Sequence, residues 1–176
     1  MRSSVRMAIV AAVAGSYILA SGSALAGPKG PTIVDVAVAV NSEGPYAGYF
    51  DTLIAAVGAA DPAVAATLTG NGQHTVFAPT DDAFAALGLT PDNIGELDQG
   101  FLTDVLLYHV ANGRRDSEEV IGSSRIRTLL RDFLYQDGGV LTDNAGRESV
   151  IIVVDVPAAN GIIHVIDTVV LPYLPE

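Results

Sequence analysis

The sequence predicts an α+β domain, and three observations lead there. Segments with helical spacing fill the first part of the chain after residue 31, and segments with strand character fill the second. One strand, His74 to Pro79, stands early among the helices. A β-branched run from Val150 to Val156 stands late and is interrupted only by Asp155. In such an order the early strand has to pair with the late ones if it is to be buried.

The chain has 176 residues, and its start predicts a secretory signal over residues 1–26. Arg2 and Arg6 give a positive start, Met7 to Ala20 is mostly apolar, and Ala24-Leu25-Ala26 is a small-x-small cleavage site before Gly27. The apolar run is short for a membrane span. No cysteine stands at the cleavage site, and Pro172 to Glu176 offers no apolar tail for a lipid-linked anchor. The expectation is an exported protein without a transmembrane anchor, secreted to the extracellular space or held in a bacterial periplasm. Residues 27–31 are a polar lead, and residues 32–176 are one domain with enough chain for a sizeable core. With no cysteine there are no disulfides, so packing of the 49% apolar residues must hold the fold. The formal charge is −11, or −13 without Arg2 and Arg6. That acidity keeps the chain soluble and argues against nucleic acid and anionic lipid as partners.

Taken in order, Thr32 can cap a helix over Ile33 to Val40, although the valines there also suit a strand. Asn41 to Pro45 reads as a loop. Phe50, Leu53, Ile54 and Val57 share one helical face, with Gly58 as its expected end. Asp61-Pro62 caps a short helix through Val64 and Leu68, closed by Gly70-Asn71-Gly72. Next comes the strand, with Val76 and Phe77 as core residues. Pro79 cannot extend a ladder, Thr80 caps the following helix, and Asp81 and Asp82 place negative charge in its first turn. Thr90-Pro91 predicts a further short helix with Ile94 and Leu97. Asp98 to Val110 is the clearest helix, with Phe101, Leu102, Val105, Leu106 and His109 on one face and Asn112-Gly113 after it. Asp116-Ser117-Glu118-Glu119 is a capping box into Val120 and Ile121. Strands follow over Arg125 to Leu129, Asp132 to Tyr135 and Val140 to Thr142, with a hairpin turn at Gly138-Gly139. Ala158 to Gly161 is a turn, and Ile162 to Pro172 is a last buried strand.

Three segments of this chain resemble the fasciclin domain family, in order and in register. The first is Thr75-Val76-Phe77-Ala78-Pro79-Thr80-Asp81-Asp82-Ala83-Phe84. The second is Tyr108-His109. The third is Asn160-Gly161-Ile162-Ile163-His164-Val165-Ile166-Asp167. The likeness spans about Thr32 to Pro172. It implies a fasciclin-type wedge of two β-sheets with helices packed along one edge. Two loops depart from the family pattern, a long Asn41 to Tyr49 and Arg147-Glu148 at the start of a strand. The marker residues Thr75, Phe77, Ala78, Pro79, Thr80, Asp81, Phe84, Asn160, Gly161, His164 and Asp167 are expected to be structural. For Tyr108 and His109 the resemblance adds an adhesion role, because that segment is proposed to take part in integrin binding in animal members. A buried imidazole needs partners for its ring nitrogens. His109 is therefore expected to hydrogen-bond the Thr80–Asp81 turn and lock the first strand to the long helix.

Sites for other chemistry are absent from the sequence. His74, His109 and His164 lack the short spacing of a zinc motif, so no metal is expected. No Gly-x-Ser-x-Gly elbow, phosphate loop, complete calcium loop, Arg-Gly-Asp or Asn-x-Ser/Thr occurs. Arg114-Arg115 reads as a solvated helix end. The expectation is a non-enzymatic, exported fasciclin-domain protein without a cofactor, acting in cell adhesion or extracellular protein–protein interaction. Its partner would be a cell-surface or extracellular protein, and a homo-oligomer is a further expectation to test. The alternative is a carrier of a small apolar ligand such as a carotenoid, with Phe50, Leu53, Ile54 and Val57 as the lining.

Overall fold

A computed structural model describes residues 28–174, so the expected signal segment and the last two residues lie outside the described residues. Helix α1 is Ile33–Ser42. Capping decides the ambiguity of its valines. The Thr32 hydroxyl accepts from Asp35 N at 3.3 Å, and the Asp35 carboxylate accepts from Thr32 N at 2.8 Å. The helix takes in Asn41 and Ser42, which composition assigned to the loop. Helix α2, Asp51–Ala59, runs through Gly58 instead of ending there. Helix α3, Pro62–Thr69, has the Asp61 cap and the Gly70 stop that the sequence predicts. Strand β1 is His74–Pro79 and helix α4 is Asp81–Ala85. The segment after Thr90-Pro91 forms turns and one 3₁₀ turn, Ile94–Glu96, because the Asn93 side chain takes the Thr90 N–H and folds the chain back.

Helix α5 is Gln99–Tyr108. It stops two residues before the predicted end, since Val110 to Asn112 forms strand β2 against β1. Helix α6 is Ser117–Ile121, and the strands continue as β3 Arg125–Arg127, β4 Phe133–Asp137 and β5 Val140–Thr142. Strand β6 is Glu148–Ala158 and β7 is Gly161–Ile166. The last strand therefore ends six residues before Pro172. Beyond Ile166 the Asp167 carboxylate takes the Val150 N–H at 2.8 Å, and the chain to Leu171 is held by side chains instead of a ladder.

The two expected sheets share β6 and form one order, β2-β1-β7-β6-β5-β4-β3. The early strand does pair with a late one: β1 lies parallel to β7, with His74 opposite Gly161 and Pro79 opposite Ile166. The other pairs are antiparallel. A bridge from Ala111 to Thr128 joins the two ends and nearly closes a barrel.

Two cores result. Val76 and Ala78 of β1, with Ile163 and Val165 of β7, face the helices. Phe77 and Ile166 face the other way, into the barrel, among Tyr108, Ile126, Leu134 and Leu141. Strand β6 serves both. Its Ile151 opposite Ile166 packs against the barrel core, and its Val153 opposite Val165 sits in the helical core. A bulge between them makes this switch, because one extra residue turns a strand's buried set to its other face. Among the described residues no single helix is long and apolar enough to cross a membrane.

The parallel β1–β7 pair sets a hard limit at Gly161. A Cβ built there would stand 2.0 Å from the His74 carbonyl oxygen and 2.9 Å from Ile33 Cδ1. Backbone cannot yield as a flexible side chain can. Gly161→Ala is expected to lower unfolding free energy by about 3 kcal/mol or more, measured by urea titration; a midpoint unchanged from wild type would contradict this packing.

Candidate functional site

The marker residues converge on the junction where the helices meet the β1–β7 pair. Strand β1 is buried along its whole length because both faces meet a core. Thr75, fully buried, has its hydroxyl placed to donate to the Gly113 carbonyl at 2.8 Å and to accept from Arg115 N at 2.9 Å. Phe77 and Ala78 fill opposite cores, and Phe84 of α4 fills the helical one. Pro79 ends the strand, and the Thr80 hydroxyl accepts from Ala83 N at 3.3 Å as a helix cap.

Asp81 does more than charge the first turn of its own helix. Its carboxylate accepts from Thr52 N at 2.8 Å and from Asp51 N at 3.2 Å. Phe50, the N-cap residue of α2, offers no side-chain acceptor, so Asp81 caps that helix from another part of the chain. Asp81 N also donates to the Tyr49 carbonyl at 2.8 Å. The β1–α4 junction and the start of α2 are thus one hydrogen-bonded unit.

Asn160 performs the matching task at the other end. It is fully buried. Its Oδ1 accepts from Ile33 N, an orphan donor at the start of α1, at 2.8 Å. Its Nδ2 donates to the Leu68 and Gly70 carbonyls at the end of α3, at 2.7 and 2.9 Å. Its own carbonyl accepts from His74 N. One amide therefore satisfies a helix start and a helix end that the packing has removed from water.

The histidines do not meet, and no group of three metal-ligating residues occurs among the described residues. His109, the C-cap residue of α5, does not bond the Thr80–Asp81 turn as the sequence suggested. Its Nε2 accepts from Val170 N at 3.2 Å, so its Nδ1 carries the proton and donates to the Val105 carbonyl at 2.7 Å. The expected link to β1 is made by its backbone instead, where Phe77 N donates to the His109 carbonyl at 2.9 Å. Asp81 is committed to α2 and Thr80 to its own helix, which leaves that turn nothing to offer the ring. Burial holds the His109 pKa down at about 4, so the ring is neutral.

His164 is neutral too, in the opposite tautomer. Asp155 N donates to its Nδ1 at 3.3 Å, and its Nε2 donates to the Arg115 carbonyl at 3.0 Å. Its ring stacks on Phe77 with centroids 5.7 Å apart, and burial lowers its pKa. His74 is also lowered by burial, and its Nδ1 is buried without a hydrogen-bond partner. Tyr108 is fully buried; its hydroxyl donates to the Phe133 carbonyl at 2.7 Å and accepts from Asn144 N at 3.2 Å. Burial raises its pKa. Neither Tyr108 nor His109 presents a side chain to solvent, so a partner cannot touch either without local opening.

Three residues in this framework escaped the sequence reading. Asp143 is buried, pairs with Arg147 Nε at 3.0 Å, and accepts from Leu171 N at 2.9 Å. Arg147 also donates to the Val169 carbonyl. These two hold the chain after β7. Asp155, a non-glycine residue at φ +60°, accepts from Ser117 N at 2.8 Å and so braces the start of α6. A lone acid in a β-branched run was its visible signal.

Two outcomes follow from this wiring. Asn160→Ala strands one buried N–H and two carbonyls, and is expected to cost about 3 kcal/mol or more in urea unfolding. Asn160→Asp keeps the shape but not the donors, and sets an acid against the end of α3. It should rescue little; full recovery by Asp would contradict the assigned roles. For His109, the folded pKa is depressed from 6.5 to about 4. Between these values the unfolded chain binds a proton that the folded ring refuses, so the stability is present above about pH 6.5 and is lost as pH falls toward 4. His109→Gln keeps an acceptor for Val170 N without titrating. Its unfolding free energy should fall less steeply across this range than that of wild type, and equal slopes would refute the assignment.

Comparisons with known proteins agree with this geometry. The Fasciclin domain model matches residues 48–172. The chain is 39% identical to Protein sll1483 of Synechocystis sp., over 80% of this chain and 73% of that one. It is 32% identical to immunogenic protein MPB70 of Mycobacterium bovis, over 85% and 78%. It is 33% identical to transforming growth factor-beta-induced protein ig-h3 of Sus scrofa, over 70% of this chain but only 18% of that much longer one. A solved FAS1 domain pair from the insect cell adhesion molecule Fasciclin I shares the fold, with a TM-score of 0.53 and 20% identity over 65% of this chain and 42% of that one. The family match over residues 48–172 and these relatives show that the chain belongs to the fasciclin domain family.

Proposed function

We propose that this chain is an exported, non-enzymatic interaction module, working in adhesion or another extracellular protein–protein contact. One observation carries the reading. Around the family-marker residues, the polar groups are engaged inside the fold: Asp81 and Asn160 cap helices, and the His109 and His164 rings are bonded on both nitrogens. Both rings are neutral, and backbone groups occupy both nitrogens of each, so neither ring is free to take a proton from a substrate. Apart from His74 Nδ1, this engagement leaves no buried side-chain polar atom without a partner among the described residues; such a site builds a scaffold, and recognition then falls to the exposed surface. The family membership supports this reading, as does the shared fold of the insect cell adhesion molecule Fasciclin I.

Carriage of an apolar ligand is the second reading, and one feature favours it. A cleft between α1, α2 and the sheet is lined by Ile33, Leu53, Ile54, Val57, Leu68 and Val110. It includes three of the four residues expected from the sequence; Phe50 is buried in the core instead. Its volume is about 70 Å³. Ligand pockets run from about 300 Å³ upward, so a carotenoid could enter only if the elements around the cleft moved apart.

Crosslinking and mass spectrometry on the exported fraction of the source cell separate the two. The interaction reading expects a surface or matrix protein crosslinked to this chain and a purified protein without a visible absorbance band. A coloured protein with no crosslinked partner would replace it with carriage.

A further inference from the structure

We propose that the outer face of β3, β4, β5 and the first part of β6 is a self-complementary surface that pairs two copies of this chain. The solvated face of an antiparallel sheet is ordinarily polar. Here it exposes Tyr135 at 49%, Val150 at 45% and Ile152 at 47%. Beside them Arg125 lies over the Phe133 ring, its guanidinium carbon 4.8 Å from the centroid. Aromatic and arginine side chains around an aliphatic patch make the composition of a protein–protein interface.

Charge identifies the occupant as a second copy. Residues 30–113 contain ten acids and not one lysine or arginine. Residues 114–174 contain six arginines and nine acids. Copies therefore repel most through the helical half and least through the sheet. The outer face is balanced within itself, with Arg125 and Arg127 at the β3 side and Asp137 and Glu148 further across.

The register gives this balance a direction. Arg125, Tyr135, Thr142 and Glu148 form one cross-strand row, a cation at one end and an acid at the other. Those ends are about 14 Å apart, at three strand spacings. In two such faces related by a two-fold axis parallel to the strands, the Arg125 end of each row lies over the Glu148 end of its partner. Tyr135 then lies over Thr142. An isologous contact of this kind closes at two copies. It stands whether or not an external partner exists, and it would give a single domain the two contacts that adhesion needs.

Sedimentation of the purified exported protein up to near-millimolar concentration tests this. Wild type should pass from monomer to dimer. Val150→Glu with Ile152→Glu should weaken dimerisation roughly ten-fold or more by burying unpaired charge. Those residues are exposed, so the fold should be unaffected, which circular dichroism checks. If that variant misfolds, the charge pair decides. Arg125→Glu alone should weaken the dimer, and Arg125→Glu with Glu148→Arg should restore it. A wild type that stays monomeric overturns the proposal. So does an assembly larger than two, as a sheet-to-helix contact would give, or a dimer indifferent to every change.

Discussion

Strands β1 and β7 pair in parallel over six residues, and neither turns a face to water. The rest of the structure depends on that pairing. A parallel pair cannot be joined by a tight turn, so the chain between β1 and β7 has to travel, and it does so through α4 to α6 and the outer strands. Burial on both faces demands a cover on each side. The helices supply one and the near-closed barrel supplies the other. The contact also demands close backbones at its start, which Gly161 permits, and satisfied helix ends nearby, which Asn160 supplies.

Much of this was legible in the residues. Capping residues named most helix starts: Thr32, Asp61, Thr80 and Asp116 all accept from the backbone of the helix they precede. The β-branched run at Val150 and the turn at Gly138-Gly139 named the late hairpins. Helix ends were less visible, because tertiary pairing set them. Val110 continued the apolar period of α5, yet it left the helix to bond β1. Thr90-Pro91 had the local form of a helix start, but the side chain of Asn93 made it a turn.

The candidate site was legible in its members and not in its wiring. The marker segments pointed to the right residues, and burial of Tyr108, His109 and His164 followed from their apolar neighbours. Which nitrogen meets which carbonyl did not follow, since the partners of His109 lie on its own helix and 61 residues away. Long-range capping by Asp81 had the same character. An acid in the first turn of a helix reads as serving that helix, and only the packed chain shows it serving another.

The bulges in β6 have a consequence for how the chain can change. Each adds one residue to a strand whose partner has none to match, and the first hands the strand from the barrel core to the helical one. Deleting a residue there would do more than shorten an element. It would turn Val153 and those after it toward the wrong side and carry Asp155 off the start of α6. The spacing between Ile151 and Val156 is therefore fixed by counting, whatever aliphatic residues fill it. Along β6 a change of length disturbs both cores, where a change of aliphatic side chain disturbs one.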